Sequence, residues 1–135
     1  MVIYTMFQER ATWLTYQNLR AELGGRDPAL SRVLQLVAID ECAHYDFFRR
    51  LVEIYLEEDR EATLEQMRLV LNTFKMPALH MLADSAKRMN DIKEMRLFDE
   101  DIFIFQVYEP ILADIRVSKK ELRRRQSSRE IVVVG

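Results

Sequence analysis

The sequence predicts an all-α fold with one core, and three observations support this. Only three glycines and three prolines occur among 135 residues, so few positions interrupt a helix. Hydrophobic residues make up 49% and charged residues 31%, a balance that suits one buried core with a charged surface. In the first half of the chain, apolar residues recur at alternating intervals of three and four, which is the helical period.

The first two helices are separated by a glycine turn. The first covers residues 1–23 and stops at Gly24 and Gly25, because glycine readily adopts the left-handed conformation that ends a helix. The second covers residues 29–57, and the short loop predicts that the two helices lie antiparallel. The chain enters its first helix without a capping residue, so we expect it to be part of a longer protein.

A third helix is predicted to open at Thr63, where the sequence has the form of a capping box. Its buried positions would be Leu64, Met67, Leu71 and Phe74. Pro77 ends or kinks this helix, because proline lacks an N–H and clashes with the preceding turn. A further helical piece over residues 79–89 would then lead into a polar stretch over residues 90–96.

The last predicted helix covers residues 99–117 and is bent by Pro110. Beyond Ser118 no apolar period remains, and basic residues dominate. We therefore expect one domain over residues 1–118 and a basic, disordered tail over residues 119–135, with docking of an acidic partner as the less favoured interpretation of the tail.

Charge and cysteine content exclude several classes of function. A net charge of −2 provides no basic field for nucleic acid, so no such partner is expected. Cys42 is the single cysteine and cannot form an internal disulfide, which indicates a reducing, cytoplasmic setting. The sequence has no apolar run of about 18 residues and does not open with a basic stretch followed by an apolar one, so neither membrane spanning nor secretion is expected.

Polar residues interrupt the apolar stripe of each of the first two helices. In the second helix the stripe consists of Leu30, Leu34, Val37, Phe48, Leu51 and Tyr55. Its spacing places Glu41 and His44 on the same core face. In the first helix the stripe consists of Val2, Met6, Trp13, Tyr16 and Leu23, with Arg20 near the loop. Between Met6 and Trp13 the same spacing falls on Glu9, where the stripe would otherwise have an apolar residue.

These three residues also lie at similar depth in the predicted hairpin. Glu9 precedes the loop centre at Arg26 by 17 residues, while Glu41 and His44 follow it by 15 and 18. At about 1.5 Å per residue, the three side chains fall within roughly 5 Å along the helix axes. They should converge on one site.

Two carboxylates and an imidazole in a core predict a bound cation, because an unpaired buried carboxylate is costly. Glu-x-x-His presents both side chains on one helix face. In ferritin-like di-iron bundles, two helices each supply a Glu and two others each supply a Glu-x-x-His. Glu9, Glu41 and His44 therefore predict half of such a site, although a solvent-facing or mutually hydrogen-bonded Glu–His pair is the simpler alternative. His80 and Cys42 are interpreted as structural residues.

Three segments resemble a known family. TMFQERAT at residues 5–12 resembles the FQERAT segment of the soluble acyl carrier protein (acyl-ACP) desaturases, and DECAH at residues 40–44 resembles their DExRH motif. MPA at residues 76–78 also matches. The resemblance extends over residues 4–118 and implies the second half of a ferritin-like di-iron core followed by C-terminal helices.

This resemblance implies roles for five residues. Glu9 and Glu41 would be carboxylate ligands and His44 an imidazole ligand of two iron ions. Thr12 would assist with oxygen-derived protons, and Asp40 would orient the ligands without binding metal and lie on the electron path. The implied reaction is O₂-dependent formation of a double bond in an ACP-bound acyl chain, with electrons from ferredoxin.

The chain departs from the family pattern in two ways. Ala43 stands where the family usually has Arg, and the family's other Glu ligand and first Glu-x-x-His are not present. Because a di-iron site of this kind needs four carboxylates and two imidazoles, we expect a homodimer. A non-catalytic metal-binding or dimerisation module, or an inactive truncated remnant, is the alternative to an enzyme.

Overall fold

The computed structural model describes residues 1–75 and 84–123, and within these ranges every regular element is helical. In chain order the elements are α1 (Val2–Leu23), α2 (Pro28–Glu58), α3 (Arg60–Thr73), α4 (Ser85–Glu94), α5 (Glu100–Ile102), a π-helical segment (Phe103–Tyr108), α6 (Glu109–Asp114) and α7 (Lys119–Arg123). The predicted all-α class is confirmed. Pro77, His80 and residues 79–83 of the helix predicted over residues 79–89 lie outside the described residues.

The α1–α2 hairpin forms as predicted, with bounds within one residue of those expected. Gly24 ends α1 in the left-handed conformation with φ of 53°, and Gly25 follows with φ of 79°. The Asp27 side chain accepts a hydrogen bond from the Leu30 N–H at 2.9 Å and caps α2, whose first residue is Pro28. A left-handed turn followed by a capped helix start reverses the chain within a few residues.

The described core is built around α1. Its residues Ile3, Phe7 and Ala11 are buried, and the Phe7 ring lies 6.2 Å from Phe74, which follows the last residue of α3, and 6.4 Å from Phe103 of the π-helical segment. On its other side α1 packs along α2. The helix that carries Glu9 is therefore held between α2 and the C-terminal helices.

The start of α3 differs from the prediction. Asp59, not Thr63, caps the helix by accepting a hydrogen bond from the Ala62 N–H at 3.0 Å. Thr63 lies inside the helix, and its hydroxyl donates to the carbonyls of Tyr55 and Asp59. Because Asp59 ends α2 and caps α3, the helix begins earlier than the Thr63 pattern indicates. The predicted core residues of α3 do pack inward: Leu64 and Met67 are buried, and Leu71 and Phe74 are partly buried.

The stretch predicted as a polar connection over residues 90–96 is also corrected. Helix α4 continues to Glu94, and Arg96 then turns the chain with φ of 51°. Ile92 lies within this stretch, is partly buried and packs against the core, so this one apolar contact attaches the otherwise polar segment to the rest of the fold.

The last predicted helix is interrupted by a π-helical turn and ends at Asp114, short of residue 117. The turn lies directly before Pro110, which has no N–H and whose ring clashes with the carbonyl four residues earlier in a regular helix. That carbonyl belongs to Gln106, and it accepts a hydrogen bond from Arg10 Nε at 3.0 Å. Arg10 of α1 thus donates to the carbonyl oxygen that would accept a hydrogen bond from residue 110 if that residue had an N–H.

The first residues of the predicted tail are ordered, which corrects the expectation of disorder for residues 119–123. They form α7, with Leu122 buried. Glu121 accepts hydrogen bonds from the Ser118 N–H and hydroxyl and pairs with Arg60. The Ser118 bonds first, and Arg60 next, lower the pKa of Glu121 to about 2. Residues 124–135 lie outside the described residues, and a domain boundary at residue 118 stays a prediction.

Candidate metal centre

The α1–α2 hairpin brings Glu9, Glu41 and His44 together at equal depth, as the spacing predicts. One ligand atom from each lies within 4.8 Å of the others. His44 Nδ1 is 3.4 Å from Glu41 Oε2 and 3.6 Å from Glu9 Oε2. The convergence is present in the structure, while metal binding by these residues stays a prediction.

His44 does not lie in the core, contrary to the prediction. Its side chain is 59% exposed, whereas those of Glu9 and Glu41 are 13% and 18% exposed. The buried residues of α2 are Leu34, Ala38, Tyr45, Val52 and Leu56. This stripe is rotated by about one residue from the predicted one, so Leu30 and Tyr55 are also exposed. The site therefore lies at the edge of the α1–α2 contact, with its imidazole open to solvent.

Burial gives Glu9 an unusual protonation behaviour. Loss of hydration is the largest cause, followed by the hydrogen bond and like charge of Glu41, and together they raise the pKa of Glu9 from 4.5 to about 7. His44 opposes this shift. Near neutral pH a positive charge between the two carboxyl groups therefore stabilises the site, and either a proton or a bound cation can provide that charge.

The donor types fit an iron ion. Carboxylate oxygens and an imidazole nitrogen suit iron and related first-row metals, and the three donors are close enough to share one ion or two neighbouring ions. A cation bound there would replace the proton on Glu9, because ligands bind metals in their deprotonated form.

We expect the metal-free protein to lose stability as pH rises from about 5 to about 8. The pKa of Glu9 is higher in the folded state, about 7, than its ordinary value of 4.5, so the folded state holds this proton more tightly and the stabilisation disappears as pH passes 7. Thermal unfolding in the presence of a chelator measures the slope. Glu9→Gln should flatten it, whereas Glu22→Gln, at an exposed position of α1, should not. An unchanged slope in Glu9→Gln would contradict the assignment.

The two supporting residues lie beside this group and outside it. Thr12 is half-buried one turn after Glu9, and its hydroxyl donates to the Gln8 carbonyl at 2.9 Å. Asp40 is exposed on α2 and does not belong to the cluster formed by Glu9, Glu41 and His44. Their roles stay predictions. Cys42 is a half-buried free thiol.

Sequence reasoning missed a network centred on Arg10. Its guanidinium lies 3.6 Å from Asp114 and stacks over the rings of Trp13 and Tyr45 at 5.5 and 5.1 Å. The Tyr45 hydroxyl donates to Asp114 at 2.6 Å. Burial, and next the bond to Asp114, raise the pKa of Tyr45 above its ordinary value, so the phenol remains a donor. The spacing of Arg10 and Trp13 indicates a shared helix face, but no local signal predicts Asp114.

This network adjoins the candidate metal centre on both helices. Arg10 directly follows Glu9, and Tyr45 directly follows His44. Because Asp114 holds both from α6, the network fixes the relative depth and rotation of α1 and α2 at the level of the site.

Comparison with known proteins assigns the chain to a family. The sequence profile described as fatty acid desaturase matches residues 1–121, which is most of the chain. The chain belongs to the fatty acid desaturase family. The chain has the helical architecture expected from its resemblance to the ferritin-like members, so the predicted family and fold class are both confirmed.

Its curated relatives include plant acyl-ACP desaturases. The chain is 34% identical over 89 residues to the chloroplastic stearoyl-acyl-carrier-protein 9-desaturase 6 of Arabidopsis thaliana, covering 64% of this chain and 22% of that protein. It is 32% identical over 101 residues to the chloroplastic stearoyl-acyl-carrier-protein 9-desaturase 4 of the same plant, covering 72% and 23%. The chloroplastic acyl-carrier-protein desaturase 6 of Oryza sativa subsp. japonica is 43% identical over 63 residues, covering 44% and 15%.

The chain spans about a fifth of the length of these relatives. No solved structure matches it. Across residues 1–75 and 84–123, none of the helices has both the length and the apolar character needed to cross a membrane. The names of the plant relatives place those proteins in the chloroplast, and the cytoplasmic setting expected for this chain stays a prediction.

Proposed function

We propose that this chain supplies half of the ligand set of a di-iron centre in an acyl-ACP desaturase. The observation that carries the proposal is the convergence of Glu9, Glu41 and His44 within 4.8 Å in a chain of the fatty acid desaturase family. The relatives are named as desaturases of acyl chains on acyl carrier protein, which supports the same substrate class and carrier here. Iron, when bound, supplies O₂ activation for removal of two hydrogens from the acyl chain, with ferredoxin as the electron donor.

The chain's own residues have distinct tasks in this proposal. Glu9 and Glu41 provide negative charge from the half-buried side of the site, and His44 provides a neutral nitrogen from the open side. Thr12 can release its hydroxyl from the Gln8 carbonyl by one side-chain rotation and then carry a proton near Glu9. Asp40 orients its neighbours on α2 without binding metal.

The ligand set of this chain is incomplete for two iron ions. Two carboxylates and one imidazole are half of the four and two that such a centre uses. The other half must come from a further stretch of polypeptide or from a second copy of the chain.

The test is to load the full chain with ferrous iron, measure iron per chain, and then assay turnover. Stearoyl-ACP and palmitoyl-ACP serve as probes, with reduced ferredoxin and O₂, and the product is an acyl chain with one double bond. Iron binding that depends on Glu41, together with product, supports the proposal. A folded protein whose bound iron is unchanged by Glu41→Gln would refute it.

Exposure of His44 favours a second candidate function, a metal-binding module without turnover. A site open to solvent on its imidazole side does not shield a reactive centre from water, and in the described part of the chain no helix covers it. Iron binding without product, in the presence of every substrate, would indicate this alternative.

A further inference from the structure

Helix α4 is attached to the fold by one half-buried face. None of its residues is fully buried, whereas α1, α2 and α3 each bury three or more. Ser85, Met89 and Ile92 are half-buried, and their spacing of four and three residues places them on the same side of the helix, its inner face. A helix held by so little buried surface opens locally more readily than the core helices do.

Both ends of α4 have a left-handed backbone without glycine. Asp84 precedes the helix with φ of 60°, and Arg96 follows it with φ of 51°. This conformation is costly for a residue that has a Cβ, so the backbone at both positions is readily displaced towards commoner angles. Hinges are commonly a few residues at the ends of elements that absorb such changes. The Leu97 N–H donates to the Ile92 carbonyl at 3.0 Å, which closes the last turn of α4 and lets the helix move as one unit.

A cavity of about 610 Å³ lies against the inner face of α4. Ser85 and Met89 line one wall of it. The facing wall is apolar and is formed by Leu71, Phe74, Phe98, Phe103 and Ile104. Because Ile104 is 41% exposed and Met89 is only half-buried, the cavity is open to water between these two side chains. Its size and apolar walls are those of a typical ligand site.

The charged groups along the cavity do not favour either sign. Lys75 and Lys93 contribute two positive charges, and Asp99 and Glu100 contribute two negative ones. The Asp99 carboxylate is already engaged, because it accepts a hydrogen bond from the Ile102 N–H at 2.7 Å. The cavity therefore offers a stretch of apolar wall to a ligand and little discrimination between anionic and neutral head groups. A linear hydrocarbon chain matches such a surface.

We propose that this cavity takes one linear acyl chain and that α4 is a lid that closes over it, with Asp84 and Arg96 as hinges. The inference rests on the proposed function, because an acyl substrate identifies the occupant as a hydrocarbon chain. Closure brings Met89 onto the chain opposite Ile104 and removes the exposed apolar surface of both from water. Since this burial requires the chain, the occupant shifts α4 towards its closed position.

Hydrogen exchange on the full chain measures the movement of the lid. In the protein alone, the hydrogen-bonded amides of α4 should exchange about tenfold faster or more than those of residues 64–67 in the buried part of α3. Saturation with cis-parinaric acid, a linear fluorescent fatty acid, should slow exchange in α4 about tenfold or more and leave α3 unchanged. Binding of the acid without protection of α4 would overturn the lid.

Displacement of the bound acid tests what the cavity recognises. Stearate and stearyl alcohol share a linear chain and differ in head group, so they should displace cis-parinaric acid with affinities within about threefold of each other. A preference of about tenfold or more for either head group would show that charge decides binding, which contradicts recognition by the apolar walls.

A charge on the inner face tests the contact between α4 and the chain. Met89→Asp should weaken binding of cis-parinaric acid about tenfold or more, because it places a carboxylate against a hydrocarbon. Met95→Asp is the matched control, since Met95 is 46% exposed at the end of α4 and does not line the cavity. It should bind the acid like the wild type. Equal affinities of the two variants would overturn the inference.

Iron content of the same samples separates this inference from the proposed function. Neither substitution alters a residue of the candidate metal centre, so both variants should bind as much iron as the wild type. Iron bound through Glu41 in a protein that takes up no cis-parinaric acid would overturn the lid and leave the proposed metal centre standing. Closure of α4 over the acid in a protein whose iron does not depend on Glu41 would support the lid and refute that metal centre.

Discussion

Glu41→Gln should lower the iron affinity of the protein by about a hundredfold or more, because it removes a charged oxygen ligand while keeping the shape of the side chain. Glu41 lies beside both other members of the site, with one ligand atom within 4.8 Å of each and its Oε2 3.4 Å from His44 Nδ1. Iron content after loading and dialysis, measured by elemental analysis, gives the result directly.

The same substitution should leave the metal-free protein folded and slightly more stable. Glu41 raises the pKa of Glu9 by a hydrogen bond and by like charge, and the neutral amide removes the repulsion between two close carboxylates. Loss of metal together with a higher unfolding temperature excludes misfolding as the cause. Glu57→Gln is the matched control, since it neutralises an exposed carboxylate on the same helix, away from the site, and should retain iron. Equal iron loss in both variants would contradict the assigned ligands.

Arg10→Ala should destabilise the protein by about 2–3 kcal/mol, which corresponds to a decrease of roughly 10 °C in unfolding temperature. The variant loses the bond to the Gln106 carbonyl, the charge beside Asp114 and two contacts with aromatic ring faces. Hydrogen bonds to a charged group contribute about 1.5–3 kcal/mol, and a cation over a ring adds about 0.5–1 kcal/mol. Calorimetry or circular dichroism measures the change.

Arg20→Ala provides the comparison for Arg10. Arg20 lies on the same helix, is exposed, and makes one 3.2 Å hydrogen bond to the Ser31 hydroxyl, so its loss should change stability by less than about 0.5 kcal/mol. Arg10→Lys should fall between the two, because it keeps the charge and loses the planar fork. Equal effects of Arg10→Ala and Arg20→Ala would show that the network does not hold the helices together.

The hairpin was predictable because its signals are local. Gly24 and Gly25 end α1 through their positive φ values, and Asp27 with Pro28 starts α2, so the bounds follow from short sequences. The rotation of α2 was not predictable to one residue. Apolar periodicity defines a stripe that is broader than the buried face of the helix. The neighbouring helices decide which edge of that stripe is buried, and Tyr55 lies on the edge that they leave exposed.

The site was predictable where polar residues interrupt a helical stripe. Glu9, Glu41 and His44 occupy gaps at equal depth, and the structure places them together. The supporting network was not predictable, because Tyr45 and Asp114 are 69 residues apart and meet only through the packing of α6. Burial of His44 was predicted wrongly for a related reason, since it depends on helices that would cover the open face of α2.

The π-helical turn before Pro110 makes the length of this segment matter more than its composition. A π turn holds one residue more than the α-helical ladder accommodates, so everything after it is rotated by about 100° relative to an uninterrupted helix. Asp114 reaches Arg10 and Tyr45 in that rotated position. Substitutions at exposed positions such as Phe105 leave this geometry unchanged, whereas a single-residue deletion within residues 103–108 would turn Asp114 away from both partners. The exposed residues of this stretch can therefore change during evolution, but the number of residues in it cannot.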